Sequence, residues 1–352
     1  MTRIAAVRSV FPIHRYRQDE LAAMTARLCG TDPVQTSLVD RFYANAGVET
    51  RHTVLPIDDY GKLEGIGPTN DLYIEHATCL GEQAIRAALD AGGIAADEVD
   101  LLIATSVTGV AVPSLDARLI ARLGLRSDVK RLPLFGLGCV AGAAGLARLH
   151  DYLLAWPGHT AVLLAVELCS LSIPFTRPGT ADLVVSALFG DGSAALVARG
   201  ERPAAGAGPR VVATHSEVCP DSVGALGWRL GSEGFRIVLS TGLPDVVDRR
   251  LGACVSGFLA GHGLAVEDMR AWICHPGGPN VLDAVQRSLG LPDAAMAASR
   301  RSLARVGNLS SASVLHILQD VIADGDGPPP GSHGLLIGLG PGVSIELVLL
   351  RW

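Results

Sequence analysis

Two stretches of small side chains, GLGCVAGAAGLARLHDYLL at 136–154 and VGNLSSASVLHILQDVI at 306–322, constrain the fold more than any other feature of this chain. Gly, Ala and Ser spaced between Leu and Val allow a helix to be buried on every side, because backbones approach where no side chain intervenes. In each stretch a glycine precedes a reactive or amide side chain, Gly138-Cys139 in one and Gly307-Asn308 in the other. The first is followed by the apolar run AVLLAVEL and later by LFGDGSAALVARG, the second by HGLLIGLGPGVSIELVLL. The shared order of small-residue helix, apolar strand and Gly turn into a second strand predicts a duplicated chain. Two central helices would then aim their N-termini at one place, and their dipoles would favour negative charge there.

The rest of the pattern fits an α/β protein. VDLLIATSV (99–107) and AVLLAVEL (161–168) are expected as strands and SLDARLIARLGL (114–125) as a helix between them. The Gly, Pro and Ala-rich segment 200–209 has no periodicity and is the expected linker, which divides the chain into halves 1–205 and 206–352. With 49% apolar and 18% charged residues over 352 positions, the chain has ample material for a buried core. Its 29 basic and 35 acidic residues are interspersed, which excludes a polybasic nucleic-acid or membrane-surface binder. No run of about 20 apolar residues suggests a membrane span, and the short apolar run before Pro12 does not suit a signal peptide, so a cytoplasmic enzyme is expected. The seven cysteines form no CxxC pair, which argues against a disulfide framework or a zinc site. Neither Lys62 nor Lys130 lies in an apolar motif suited to Schiff-base chemistry.

Three residues carry candidate chemistry. Cys139 at a helix start would have its pKa lowered by unpaired backbone N–H groups, as a nucleophile requires, although a cysteine in such a helix also packs as a small hydrophobe. His275, in WICHPGGPN, stands where an apolar strand enters a Pro-Gly-Gly turn, and there a neutral imidazole could pair with the thiol. Asn308 offers an amide that donates to a negatively charged oxygen without titrating, and the same residue reads as a helix N-cap.

Taken in order, GCVAG at Cys139, LFGDGSAA, WICHPGGP, GNLSSASV and GLGPGVSIE make the chain resemble the chalcone-synthase superfamily, the type III polyketide synthases. The resemblance covers nearly the whole chain. It implies a five-layered αβαβα thiolase fold, a homodimer, and acyl-CoA and malonyl-CoA as substrates, with no metal and no resident cofactor. Cys139 would carry the growing acyl group, while His275 and Asn308 hold the thioester oxygen of malonyl-CoA during decarboxylation. It further implies that Phe189 and Ile237 occupy the gatekeeper positions, Ile237 departing from the family's phenylalanine. Val107, Ser172 and Ser310 would line the cavity, and Val112 would reach into the partner's. Gly338, Leu339, Gly340, Pro341 and Gly342 would form the cyclisation loop. Arg41, Gly277, Gly278 and Asn280 would contact CoA.

TGVAVPSLDARL and VELCSL are similar to the bacterial branch that makes alkylresorcinols and alkylpyrones, and the small cavity residues suit a long acyl starter. Val107 stands where synthases that build naphthalene from malonyl units have cysteine, which argues against that product. Competing expectations are a β-ketoacyl-carrier-protein synthase III-like single condensation, a non-catalytic partner subunit of a synthase, and a cysteine hydrolase using the same three residue types.

Overall fold

The computed structural model describes residues 2–352 apart from 31–32, 64, 174–177, 201–207, 221, 232–233, 241 and 324–326. The expected strands run Leu101–Thr105 and Thr160–Leu168, and the helix between them Leu115–Leu123. The division at residue 205 lies outside the described residues.

Nine strands form one continuous sheet in the order Met269–Cys274, His333–Gly340, Ser344–Arg351, Arg210–Val218, Thr2–Val10, Asp191–Arg199, Thr160–Leu168, Leu101–Thr105, Lys130–Leu134. The duplication is visible in its pairing. In the N-terminal half Leu101–Thr105 runs parallel to Thr160–Leu168, which is antiparallel to Asp191–Arg199, itself antiparallel to Thr2–Val10. In the C-terminal half Met269–Cys274 runs parallel to His333–Gly340, then Ser344–Arg351 and Arg210–Val218 follow antiparallel in the same sense. Within the sheet the halves pair, among the described residues, through Thr2↔Val211 and Arg3↔Arg210.

Strand alternation assigns the layers. Ile103, Leu163 and Leu196 point inward with Leu336 and Val348 of the other half, and between them lie Leu146 and Leu149 of the helix Ala141–Ala155 and Leu315 and Leu318 of the helix Ser313–Ala323. The alternate residues Leu102, Leu164 and Val197 face the helices Ile66–Gly92 and Leu115–Leu123. Leu335, Ile337 and Leu347 face Leu243–Ala260 and Pro279–Leu289. Both faces of each half-sheet are therefore covered, which is why Thr160–Leu168 is buried at every position. This is the five-layered thiolase fold.

The two central helices meet backbone to backbone. A Cβ on Gly142 would lie 2.1 Å from the Ser311 carbonyl oxygen and 2.8 Å from Val314 Cγ2, so only glycine permits the approach. Gly142→Ala is expected to cost about 1–3 kcal/mol through overpacking, read as a lower urea midpoint or melting temperature at fixed protein concentration. Gly158→Ala, where a Cβ meets nothing within 4 Å, serves as the neutral control. Equal stability of the two variants would mean that the helices do not touch at Gly142.

Candidate active site

Both central helices are preceded by a turn of 3₁₀ helix, Gly138–Val140 before the first and Ser310–Ala312 before the second. Cys139 thus sits on the tight turn leading into its helix. Gly138 has φ of +55°, and a Cβ there would meet Pro341 Cγ at 2.5 Å, so the GLGPG turn is seated directly on the cysteine turn. Asn308 does not act as the expected N-cap. Its Oδ1 accepts the Ser310 backbone N–H at 2.8 Å, two residues on, which leaves its Nδ2 as the donor available to the cavity. Ser310 is held at φ of +49°, and its hydroxyl lies 3.4 Å from Cys139 Sγ.

The backbone of Asn308 is clamped from the opposite side. Its N–H donates to the Leu188 carbonyl at 2.8 Å and its carbonyl accepts from Gly190 N–H at 3.0 Å, a bridge that centres on Phe189. Buried Arg51 donates to the carbonyls of Ser186 and Phe189 at 2.6 Å each, capping the C-terminus of the helix Thr180–Leu188. His275 follows the strand Met269–Cys274, extends the parallel ladder by donating its N–H to the Ile337 carbonyl at 2.9 Å, and precedes the helix Pro279–Leu289.

These three elements bring Cys139, His275 and Asn308 to one cavity of about 60 Å³, walled by Val185, Leu188, Phe189, Ile237, Leu339 and Gly340 among others. A second space of about 20 Å³ adjoins Cys139, bounded by Val107, Phe189, Leu226, Trp228, Ile237, Ser310 and Pro341. Ser172 lines a separate cavity of about 190 Å³ that shares Thr108 with the second space. Outside, a vestibule of about 830 Å³ is bordered by Arg41, Gly277, Gly278 and Asn280. Gly338 packs on Ala143 and Val140, and Gly342 donates its N–H to the Leu226 carbonyl at 3.0 Å. Val112 is 89% exposed and belongs to none of these walls within its own chain.

The electrostatics correct one expectation. Burial pushes the Cys139 thiol up to about 12, outweighing the Ser310 hydrogen bond, instead of the lowering anticipated from the helix start. Burial likewise pushes His275 down to about 4, and its Nδ1 has no hydrogen-bond partner among the described residues. Neither group ionises alone near neutral pH.

No motif singled out the polar group beneath the cysteine. Glu167, fully buried, accepts from Val107 N–H at 3.0 Å and Thr108 Oγ1 at 3.0 Å and from the Ser311 hydroxyl, and burial raises its pKa. A carboxylate inside an otherwise apolar strand was the available signal, since a buried charge needs such donors. Arg51, Leu226 and Trp228 had none.

Among the described residues no helix is long and apolar enough to cross a membrane. Models of the N-terminal and C-terminal domains of chalcone and stilbene synthases match residues 7–203 and 210–352. A 1,3,6,8-tetrahydroxynaphthalene synthase of Streptomyces peucetius subsp. caesius is 54% identical, over 100% of this chain and 93% of its own. One from Streptomyces coelicolor is 35% identical, over 97% of this chain and 90% of its own. The crystal structure of the Streptomyces coelicolor A3(2) enzyme, described as a bacterial type III polyketide synthase, superposes with a TM-score of 0.94 at 33% identity, covering 99% of each chain. With both halves matched and the architecture shared end to end, the chain belongs to the chalcone and stilbene synthase family, the type III polyketide synthases, which are decarboxylating acyltransferases.

Proposed function

We propose that this synthase builds a compact aromatic polyketide from malonyl-CoA, of the naphthalene type named for its 54% identical relative. The observation that carries this is that identity, which extends over 100% of this chain, and it is accompanied by a narrow space beside Cys139. At about 20 Å³ it holds little more than one water, because Leu226, Trp228 and Ile237 fill the region where small residues at 107 and 310 suggested room for a long acyl tail. A short starter suits that wall, and a growing chain has the 190 Å³ cavity bordered by Thr108 and Ser172 to move toward. The missing cysteine at Val107 is a weaker argument than the shape of the site as a whole.

In this reading Cys139 attacks the acyl-CoA carbonyl as its proton passes to His275, and the CoA sulfur leaves with that proton, returning the imidazole to its neutral form. CoA in the outer vestibule lies against Arg41, Gly277, Gly278 and Asn280. When malonyl-CoA loses CO2, the electrons of the broken C–C bond move to the thioester oxygen, which neutral His275 and Asn308 Nδ2 stabilise by donating to it. The enolate then attacks the acyl thioester and Cys139 leaves as thiolate. The step balances with proton transfer alone, so it requires no metal or redox group. The homodimer is supported by an exposed apolar set, Val110, Val112 and Phe135, beside the edge strand Lys130–Leu134. CoA thioesters as substrates fit a cytoplasmic enzyme.

Asn308→Ala is expected to lower malonyl-CoA decarboxylation by about 100- to 1000-fold while leaving iodoacetamide labelling of Cys139 nearly unchanged. His275→Ala should impair both, slowing the labelling at neutral pH by about tenfold or more. Equal labelling in the two variants would remove the proton-transfer role from His275. Replacing Val112 and Phe135 together by Asp should convert a dimer to a monomer in light scattering, and an unchanged mass would place the interface elsewhere. Mass spectrometry of products from malonyl-CoA alone, and with acyl-CoA starters from two to eighteen carbons in about six steps, tests the product class. A malonyl-only aromatic that vanishes in Cys139→Ala is expected. Long-chain pyrones or resorcinols would restore the alkylpyrone branch, and a single condensation dependent on a carrier protein would favour the synthase III-like alternative. Product formation undiminished in Cys139→Ala would point to a non-catalytic partner subunit.

A further inference from the structure

Far from the cysteine that the chemistry uses, His215, Glu217 and Cys254 bring an imidazole, a carboxylate and a thiol together, each offering a ligand atom within 4.8 Å of the others. His215 and Glu217 are two apart on the strand Arg210–Val218, so their side chains leave the same face. That face looks at the helix Leu243–Ala260, from which Cys254 reaches back, and the His215 ring stacks on Phe258 one turn further along at 5.8 Å between centroids. The register of the strand is fixed by His215↔Leu347 and Glu217↔Ile345, and the helix is packed through Leu251 and Val255, both fully buried. The three ligand atoms are therefore presented by two rigid elements.

We infer that His215, Glu217 and Cys254 form a binding site for a thiophilic divalent cation of the zinc class. His215 Nε2 and Glu217 Oε2 are 3.7 Å apart. Tetrahedral zinc with bonds of about 2.0–2.3 Å sets its ligand atoms roughly 3.3–3.8 Å from one another, which the imidazole and carboxylate already meet, while the thiol, within 4.8 Å of both, closes by up to about 1.5 Å. A set of one sulfur, one nitrogen and one oxygen selects zinc, cobalt or nickel over magnesium and calcium, which take oxygen ligands. Cys254 is 8% exposed, while His215 and Glu217 side chains are 40% and 34% exposed, so the thiol closes the inner side and the outer side admits the ion and a fourth, solvent ligand. On binding, the thiol proton is released to solvent and a metal–sulfur bond forms. The sequence-level expectation of no zinc site rested on CxxC spacing, which a site assembled from a strand and a distant helix does not display.

Such an ion would tie the strand to the helix whose first turns contribute Leu243 and Val247 to the wall of the Cys139 cavity. The site is thus placed to brace that wall from outside.

The test uses the full chain carrying Cys139→Ala, which removes the competing active-site thiol, after treatment with a chelator. Titration with cobalt(II) should give one equivalent of bound metal, with a thiolate-to-cobalt charge-transfer band and the intense visible bands of a tetrahedral site. Adding Cys254→Ser should abolish the charge-transfer band, and His215→Ala or Glu217→Gln should weaken zinc binding in competition with a chromophoric chelator by about tenfold or more. Zinc should also raise the melting temperature of the Cys139→Ala chain and leave that of the Cys254→Ser derivative unmoved. Circular dichroism in chelator checks that each variant is folded, and Cys254→Ala replaces Cys254→Ser if the latter is not. Absence of cobalt binding, a spectrum without the thiolate band, or the same band in the Cys254 variant would each overturn the site.

Discussion

Everything at the active site depends on the contact between Gly142 and the Ser311 carbonyl, where two helices touch with no side chain between them. Each helix is wedged between half-sheets whose inward leucines contact both. Their separation is therefore set by backbone rather than by compressible side chains. That fixes the two preceding turns, and with them Cys139 and Ser310 at 3.4 Å. The Gly138–Pro341 contact and the Asn308 bridge to Leu188 and Gly190 transmit the same constraint to the GLGPG turn and to Phe189. Duplication supplies the geometry. One copy presents Cys139 and the other Asn308, and pseudo-symmetry brings the two to one cavity.

Burial then decides the charge states. An exposed cysteine on a helix start would be ionised in part and open to oxidation, whereas here desolvation favours the neutral thiol and the neutral imidazole. The neutral imidazole is also the form that donates to a developing enolate without adding a competing charge. Glu167 lies close enough below to oppose a Cys139 thiolate, and its own donors, Val107, Thr108 and Ser311, are what make a buried carboxylate tolerable there.

The duplication, the layering and the convergence of Cys139, His275 and Asn308 on one cavity were legible in the sequence because each leaves a local mark: small-residue helices, alternating apolar strands, a histidine between strand and Gly turn. The pKa of Cys139 was not legible, since it depends on how many layers lie over the residue. Nor was the cavity. Small residues at 107, 172 and 310 suggested room for a long acyl tail, yet the space beside Cys139 is bounded by Leu226 and Trp228 as well as the expected gatekeeper position Ile237, all on a hairpin distant in sequence from Cys139. Asn308 read as a cap because Asn before small polar residues favours caps. In the fold its side chain bonds two residues on, and this is what frees the amide nitrogen for the cavity.

That hairpin, Leu226–Gly231 paired with Gly234–Leu239, forms a separate two-stranded sheet outside the nine-stranded one. Its residues wall the site, and it is tied to the rest of the protein through Leu226, whose carbonyl accepts from Gly342, and Arg236, which pairs with Asp182. A change at Trp228 or Ile237 therefore alters the space offered to the growing chain while leaving the helix contact, the 3₁₀ turns and the donor set in place. The convergence of Cys139, His275 and Asn308 thus rests on backbone packing at the pseudo-symmetry axis, whereas the width of the space beside Cys139 rests on side chains of a hairpin outside the main sheet.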